Sequence, residues 1–124
     1  MGFTTAYANS ILSSLFKDTS IALSTTTPTA AGGNVTEPAA SAGYARSSSS
    51  DASFSTSGHD RVIKNTRYVY FPEATESWGT ITYMCLMYGG TLRYFGALNT
   101  PVTVPANTVP LFKPGAISVS LDTN

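Results

Sequence analysis

The densest run of strand-forming residues in the chain spans residues 78–95 and reads W-G-T-I-T-Y-M-C-L-M-Y-G-G-T-L-R-Y-F. Two apolar segments flank Gly89-Gly90, and a Gly-Gly pair can take the positive φ angles that a two-residue hairpin turn requires. On the first arm the even and the odd positions are both largely apolar, which is typical of a strand covered on both faces. The pattern predicts a β-hairpin whose first arm lies in the middle of a sheet. We expect a second sheet on one face of this arm, and an N-terminal helix or a neighbouring subunit on the other.

A stripe of apolar residues precedes this hairpin near the N-terminus. Its members recur at the i, i+3, i+4, i+7, i+8 spacing of one helical face, and they are Ala8, Ile11, Leu12, Leu15 and Phe16. The spacing predicts a helix over residues 6–17, with Thr4 or Thr5 as its N-cap. Because an isolated helix of about a dozen residues is marginal in water, this face must pack somewhere. It either closes one end of the core or docks on a neighbouring subunit.

Between this helix and the hairpin, short apolar segments alternate with long polar ones. Residues 21–25 predict a strand that ends before Pro28, because proline cannot continue a hydrogen-bonded ladder. Residues 29–42 are almost free of large side chains and predict a long surface loop, ordered only if something holds it. Residues 47–58 hold too little apolar content for two full strands, although Phe54 could anchor a weak edge strand.

The C-terminal half brings back β-branched and aromatic residues. Residues 61–71 predict a strand or a strand pair, with core candidates Val62, Ile63, Val69 and Phe71. After the hairpin, residues 96–98 extend the second arm and residues 99–101 are expected to turn the chain before a separate short extended piece. Leu111-Phe112 should make a core contact. The closing segment alternates apolar and polar positions like a half-buried strand, with Ile117, Val119 and Leu121 facing inward.

About seven or eight short strands with closely spaced turns are typical of an all-β fold. We therefore predict a β-sandwich or jelly-roll-like domain with one short N-terminal α-helix. A chain of 124 residues is most simply one domain. Within the single domain 1–124 we distinguish an N-terminal helical segment, residues 1–20, and a long loop region rich in Ser, Thr, Gly and Ala, residues 29–60.

Composition narrows the range of partners. The formal net charge is zero and only 11% of the residues are charged, so the chain lacks the basic surface that nucleic-acid phosphates require. Near-zero net charge also promotes association, which predicts an oligomer or a lattice-bound subunit. The one cysteine, Cys85, has no intrachain partner and is expected to be a buried small hydrophobe. We find no segment as long as a membrane span and no signal-peptide pattern, and expect synthesis in a cytoplasm without a membrane partner.

Candidate catalytic and metal-ligating residues are few. His59-Asp60 lies beside many serines, but no nucleophile-elbow sequence accompanies it, and a loop histidine that caps a turn is the simpler interpretation. One His and one Cys far apart in sequence do not form a zinc motif, and no calcium-loop motif is present. Glu73 and Glu76 lie in one short loop, whereas glycoside hydrolysis needs two carboxyl groups across a cleft. We predict no catalytic residue, no cofactor and no metal, and hence a protein that is not an enzyme.

Charged and aromatic residues offer candidate contacts instead. Arg61, Lys64 and Arg67 lie near several acids in sequence, and we favour salt bridges between subunits over phosphate binding. The tyrosines at positions 44, 68, 70, 83, 88 and 94 could stack on sugars or line interfaces, but half-buried tyrosines that complete a strand face are the favoured interpretation. The candidate interface residues are Ile11, Leu15, Phe16, Tyr44, Arg46, Arg61 and Arg67.

Several motifs, in order, resemble a family of small tailed-bacteriophage virion proteins, described as tail fibre-like or head decoration proteins. They are Y-A-N-S-I-L, I-A-L-S-T-T-T-P-T, V-T-E-P, G-Y-A-R, F-P-E-A-T-E-S-W-G-T-I-T, Y-F-G-A-L-N-T-P-V-T-V and G-A-I-S-V-S-L-D. The resemblance spans almost the whole chain and implies a β-sandwich with an N-terminal helix and no catalytic residues. The chain departs from the family where the hairpin commonly has a longer polar turn; here M-C-L-M-Y is closed by Gly89-Gly90.

The resemblance implies a structural role in the virion. The expected role is a capsid decoration (cement) protein, a homotrimer that binds the major capsid protein on the outside of the icosahedral head and stabilises it. Such a protein would be made in the bacterial cytoplasm and end on the capsid surface. The alternative that we keep open is a tail fibre or tail-tip module that contacts the host surface.

Overall fold

A computed structural model describes residues 4–56 and 62–120 of the chain. The helices and strands, in chain order, are α1 (Thr5–Leu15), β1 (Ser20–Ser24), β2 (Ser47–Ser48), α2 (Ser49–Ala52), β3 (Phe54–Ser55), β4 (Val62–Asn65), β5 (Val69–Tyr70), β6 (Gly79–Tyr88), β7 (Thr91–Val104), β8 (Leu111–Phe112) and β9 (Ser118–Ser120). A 3₁₀ turn at Ala40–Ala42 interrupts the long loop. The all-β class with one short N-terminal helix is confirmed. The expectations for His59, Asp60, Arg61 and Leu121 lie outside the described residues.

The strands form antiparallel sheets. A four-stranded sheet has the order β2-β1-β6-β7, a three-stranded sheet has the order β3-β4-β9, and β5 pairs with β8. The predicted hairpin is therefore confirmed, because β6 and β7 pair across Gly89-Gly90 and β6 lies between β1 and β7. Gly89 takes the positive φ, 59°, that the turn requires.

Helix α1 begins as predicted. The Thr4 side chain accepts a hydrogen bond from the backbone N–H of Tyr7, which makes Thr4 the N-cap, and the helix ends at Leu15. Leu12 of the helix and the residue that follows it at the C-cap, Phe16, join a cluster to which all three sheets contribute. Examples are Leu86 from β6, Ile63 from β4 and Val69 from β5. The helix thus closes the core, the first of the two alternatives for its apolar face.

The second face of β6 is covered differently from our expectation. Cys85 and Met87 on that face are buried with Ala22 in a smaller cluster, and Val35 from the long loop packs against it. The expectation that the N-terminal helix covers this face is wrong, because α1 packs on β4 in the main core. The chain's own loop covers part of this face, and a neighbouring subunit there stays a prediction. Burial raises the pKa of the Cys85 thiol to about 11, and the prediction of a buried, unpaired cysteine is confirmed.

Two further expectations for the C-terminal half are wrong. The chain does not turn at residues 99–101, because β7 continues to Val104; instead the pairing shifts so that residues 98–101 lie opposite Thr82 alone. A bulge of this kind accommodates Pro101, which has no N–H to donate. Leu111 is exposed, and only Phe112 of that pair packs against the core. The weak edge strand at Phe54 is confirmed as β3.

Candidate functional site

The apolar interface candidates on α1 are mostly used within the chain. Phe16 is buried and stacks on Phe54 with ring centroids 3.9 Å apart, and Leu15 packs against the same core. Ile11 is half-buried. Arg61 lies outside the described residues, and an interface role for this set stays a prediction.

Tyr44 and Arg46, also interface candidates, meet at one carboxylate. The guanidinium of Arg46 donates two hydrogen bonds to Glu37, from Nε to Oε1 and from Nη2 to Oε2, both 2.9 Å long. The Tyr44 hydroxyl donates to the same Oε1 at 2.6 Å and accepts from the backbone N–H of Leu23 at 3.1 Å. Because β2 pairs only with the first two residues of β1, the Tyr44 hydroxyl supplies the partner that Leu23 lacks on that side.

Each ionisable group in this network is shifted toward the state that the hydrogen bonds require. The hydrogen bonds from Arg46 lower the pKa of Glu37, and that from Tyr44 adds to the effect while burial opposes it. The same pair raises the pKa of Arg46. Burial, followed by the hydrogen bond to Glu37, raises the pKa of Tyr44 well above its ordinary value. At neutral pH the network therefore consists of a carboxylate, a guanidinium and a neutral phenol.

The hydrogen bonds that join Glu37 to Tyr44 and Arg46 hold residues 25–38, here called the strap, over the second face of the four-stranded sheet. Thr36 donates its backbone N–H to Ser24 Oγ at 3.2 Å and accepts from the backbone N–H of Thr25 at 3.0 Å. Arg46 Nη1 also donates to the Gly89 carbonyl at 2.6 Å, which connects the strap to the hairpin turn. The long surface loop was predicted to be ordered only if something holds it, and contacts within the chain hold it.

Two exposed tyrosines lie elsewhere, beside β5. Val69 is buried, so its neighbours Tyr68 and Tyr70 point to the opposite face of the strand, where they are 44% and 58% exposed. Their rings stack with centroids 5.9 Å apart and an interplanar angle of 27°. The prediction that half-buried tyrosines complete strand faces holds for Tyr83 of β6 and Tyr94 of β7, but is wrong for the exposed Tyr68, Tyr70 and Tyr88. Tyr44 is buried but lies outside the strands.

Tyr68 and Tyr70 form one wall of a cleft of about 340 Å³. Its other lining residues are Ser47, Asp51, Ala52 and Arg67. We call this feature the tyrosine cleft. Leu111 pairs with Tyr70 across β5 and β8 and is exposed on the same side, so it extends the apolar surface beside the cleft. The cleft brings together the predicted interface residue Arg67 and the acid Asp51.

The cleft rests on a buried polar side chain that sequence reasoning missed. Asn65 is 2% exposed; its Nδ2 donates to the carbonyls of Arg67 and Lys113 at 2.7 and 3.0 Å, and its Oδ1 accepts from the backbone N–H of Ile117 at 3.0 Å. The backbone N–H of Arg67 in turn donates to the carbonyl of Ala52, 3.2 Å away. These bonds fix the turn that carries Tyr68.

Helix α2, which carries Asp51, was also missed. The Ser48 side chain caps it by accepting from the backbone N–H of Ser50, and buried Ser49 donates from Oγ to the carbonyl of Phe16 at 2.8 Å. A serine run favours caps and turns, so the N-cap was the available signal. The serine run contains too few apolar residues to indicate a helix.

A second, more apolar cavity of about 460 Å³ lies beside the bulge of β7. Its walls include Tyr94, Leu98, Val102, Phe112 and Ile117. Within residues 4–56 and 62–120, no group of three or more His, Cys, Asp or Glu side chains is placed to hold a metal ion. No helix in that part of the chain is long and apolar enough to cross a membrane.

The chain is thus a small all-β protein with an exposed aromatic cleft. A family model described as podophage GP4 fiber I protein gp80 matches residues 2–120, nearly the whole chain. The chain belongs to this family, and it is a bacteriophage virion structural protein. The predicted resemblance to small tailed-phage virion proteins is confirmed. No curated protein and no solved structure matches the chain.

Proposed function

We propose that this virion protein is a subunit of a phage fibre and that it contacts the host surface. The observation that carries the proposal is the match of residues 2–120 to a family described by a podophage fibre protein. This is the alternative that the sequence left open, and the family description favours it over capsid decoration.

The surface chemistry supports a contact role. Tyr68, Tyr70 and Leu111 expose apolar surface side by side, and a contiguous exposed apolar patch, unlike a single exposed residue, is typical of a contact site. In a fibre, several copies would present this surface together, so that weak individual contacts add up through avidity. The role requires no reaction, and we propose that the protein is not an enzyme.

Capsid decoration is the second proposal. In that role a homotrimer would bind the major capsid protein on the outside of the head, and the near-zero net charge would favour such lattice association. Capsid binding through a free loop that becomes ordered on the capsid is disfavoured. The strap is already held by Glu37, Arg46 and Ser24 within the chain. It is therefore not a free segment that orders only on a capsid.

The two roles differ in copy number and position. We would quantify the protein against the major capsid protein in purified virions by mass spectrometry, and locate it with gold-labelled antibodies by electron microscopy. The fibre proposal expects few copies, all at the tail or its attachment point. Label over the whole head, with a copy number comparable to that of the capsid protein, would overturn it in favour of decoration.

A further inference from the structure

We infer that the tyrosine cleft is a saccharide-binding site, and that its ligand is an uncharged stretch of bacterial surface polysaccharide. The inference deepens the proposed function, because it names the chemistry by which a fibre subunit would contact a host. The cleft itself is defined by the geometry of Tyr68, Tyr70, Asp51 and Arg67, and its binding can be measured on the isolated protein.

The aromatic wall has the form that a sugar ring requires. One face of a pyranose presents C–H groups, and these are attracted to the electron-rich face of an aromatic ring. Tyr68 and Tyr70 stack with ring centroids 5.9 Å apart and 27° between their planes, and both side chains stay exposed, so each still offers ring surface that its partner does not cover. Leu111 adds exposed apolar surface next to Tyr70.

The polar side chains of the cleft suit the hydroxyl groups at the edge of a sugar. The carboxylate of Asp51 can accept hydrogen bonds and the guanidinium of Arg67 can donate them. Among the described residues neither side chain is engaged in a hydrogen bond or ion pair, so both are available to a ligand. One negative and one positive group balance each other, which favours an uncharged saccharide over a phosphate or a nucleic acid.

The cleft is also rigid before any ligand binds. Asn65 fixes the carbonyl of Arg67, and the Ala52 carbonyl fixes its N–H, so the turn preceding Tyr68 is held from both sides. Val69 anchors the strand between the two tyrosines in the core. A preorganised site loses little conformational entropy on binding, which matters most for a weak ligand such as a sugar.

The size of the cleft favours a saccharide ligand over a protein partner. The cleft measures about 340 Å³, close to the lower end of the roughly 300–1,000 Å³ that is typical of small-molecule sites. A specific protein interface usually buries about 800 Å² on each partner, far more than two tyrosines and a leucine provide. A chain of one or two sugar rings fits the dimensions better.

The experiment measures binding of the purified full-length chain by isothermal titration calorimetry and saturation-transfer NMR. The probes are maltohexaose, chitohexaose, polysaccharide released by mild acid from the lipopolysaccharide of a strain on which the phage grows, and the exopolysaccharide of that strain. The two strain-derived probes distinguish the sources of the ligand. We expect at least one probe to bind, with saturation transfer to sugar C–H protons.

Variants test whether this cleft is responsible. Tyr68→Ala and Tyr70→Ala should each weaken binding by roughly tenfold or more, whereas Tyr70→Phe keeps the ring and should retain binding within about threefold. Tyr88→Ala is the matched control, because Tyr88 is an exposed tyrosine away from the cleft, stacked under Arg93. The fluorescence of buried Trp78 verifies that each variant is folded.

The inference would be overturned if none of the four saccharides bound, or if Tyr68→Ala and Tyr70→Ala left binding unchanged. Binding of an outer-membrane protein fraction from the same strain, in the absence of saccharide binding, would also overturn it. These outcomes are independent of the virion location experiment. A saccharide-binding protein found on the head would contradict the fibre proposal alone.

Discussion

Gly43 takes a backbone conformation that leaves no room for a side chain. Its φ is +90°, and a Cβ atom at this position would lie 2.6 Å from the carbonyl oxygen of Glu73 and 3.2 Å from the backbone nitrogen of Thr75. We predict that Gly43→Ala lowers the free energy of unfolding by about 2–4 kcal/mol, because strain from the positive φ adds to a clash with rigid backbone. Chemical denaturation monitored by Trp78 fluorescence measures the loss.

Gly32 provides the control for that measurement. Its φ is also +90°, but a Cβ atom there would meet nothing within 4 Å. Gly32→Ala should therefore cost only the conformational term, about 1 kcal/mol. Equal losses in the two variants would mean that the close approach to Glu73 contributes nothing.

Individual residues also mark where sequence reasoning succeeded and failed. Cys85 was recognisable as buried because its sequence neighbours are apolar on both sides. Asn65 was not recognisable, because a single amide in a polar-looking stretch gives no sign that three backbone groups, from Arg67, Lys113 and Ile117, will surround it. Its role depends on contacts between residues about fifty positions apart, which periodicity cannot detect.

Among the elements, strand β6 combines burial on both faces with a central position in its sheet. Leu86 is fully buried in the main core and Met84 is 5% exposed. We predict that Met84→Asp and Leu86→Asp each abolish folding or assembly, because an unpaired carboxylate in the interior costs several kcal/mol. Soluble expression and circular dichroism check this result. Tyr88→Asp, at the exposed end of the same strand, should remain folded.

The strap provides a prediction about pH. The pKa of Glu37 is lowered in the folded state, so its contribution to stability is complete above the ordinary carboxyl pKa of about 4.3 and is lost as the pH falls through the lowered folded value. Glu37→Gln cannot ionise and keeps no salt bridge to Arg46. We expect it to unfold more easily by about 1–2 kcal/mol at pH 7, with the difference shrinking below about pH 4.

Urea denaturation of both proteins across this pH range measures the effect. Glu76→Gln is the control, since Glu76 is an exposed acid on the connection before β6, and its replacement should change stability by less than about 0.5 kcal/mol. A Glu37→Gln deficit that stayed constant from pH 7 to pH 3 would contradict an ionised Glu37 as the cause.

The elements also differ in how well they can be predicted from the sequence. The hairpin was predicted because two long runs of strand-forming residues flank Gly89-Gly90, and α1 because its apolar residues recur with the 3.6-residue period of a helix. The strap and α2 were not, because Glu37, Arg46 and Ser49 act through partners that the fold brings together. The tyrosine cleft was only partly visible, since alternation around Val69 exposes both tyrosines but does not place Asp51 beside them.

For the whole molecule, the main question is how the sheets and the helix depend on one another. Leu12 of α1 is 2% exposed and belongs to the same cluster as Leu86, Ile63, Val69 and Trp78. A shared core predicts that the helix cannot unfold separately from the sheets. The sequence predicted the α1 stripe but left open whether the stripe packs within the chain, and this coupling is the consequence of its doing so.

Leu12→Ala tests this coupling. We expect the substitution to destabilise the whole protein by about 2–5 kcal/mol, the usual cost of a cavity at a buried leucine. Thermal unfolding should show one midpoint, lowered equally in far-UV circular dichroism, which reports the backbone, and in the fluorescence of Trp78, which lies outside the helix. Ser13→Ala, on the exposed side of α1, should leave both signals unchanged. If Leu12→Ala lost helical signal at a temperature where Trp78 remained buried, α1 would be a separate unit docked on an independently stable sheet structure.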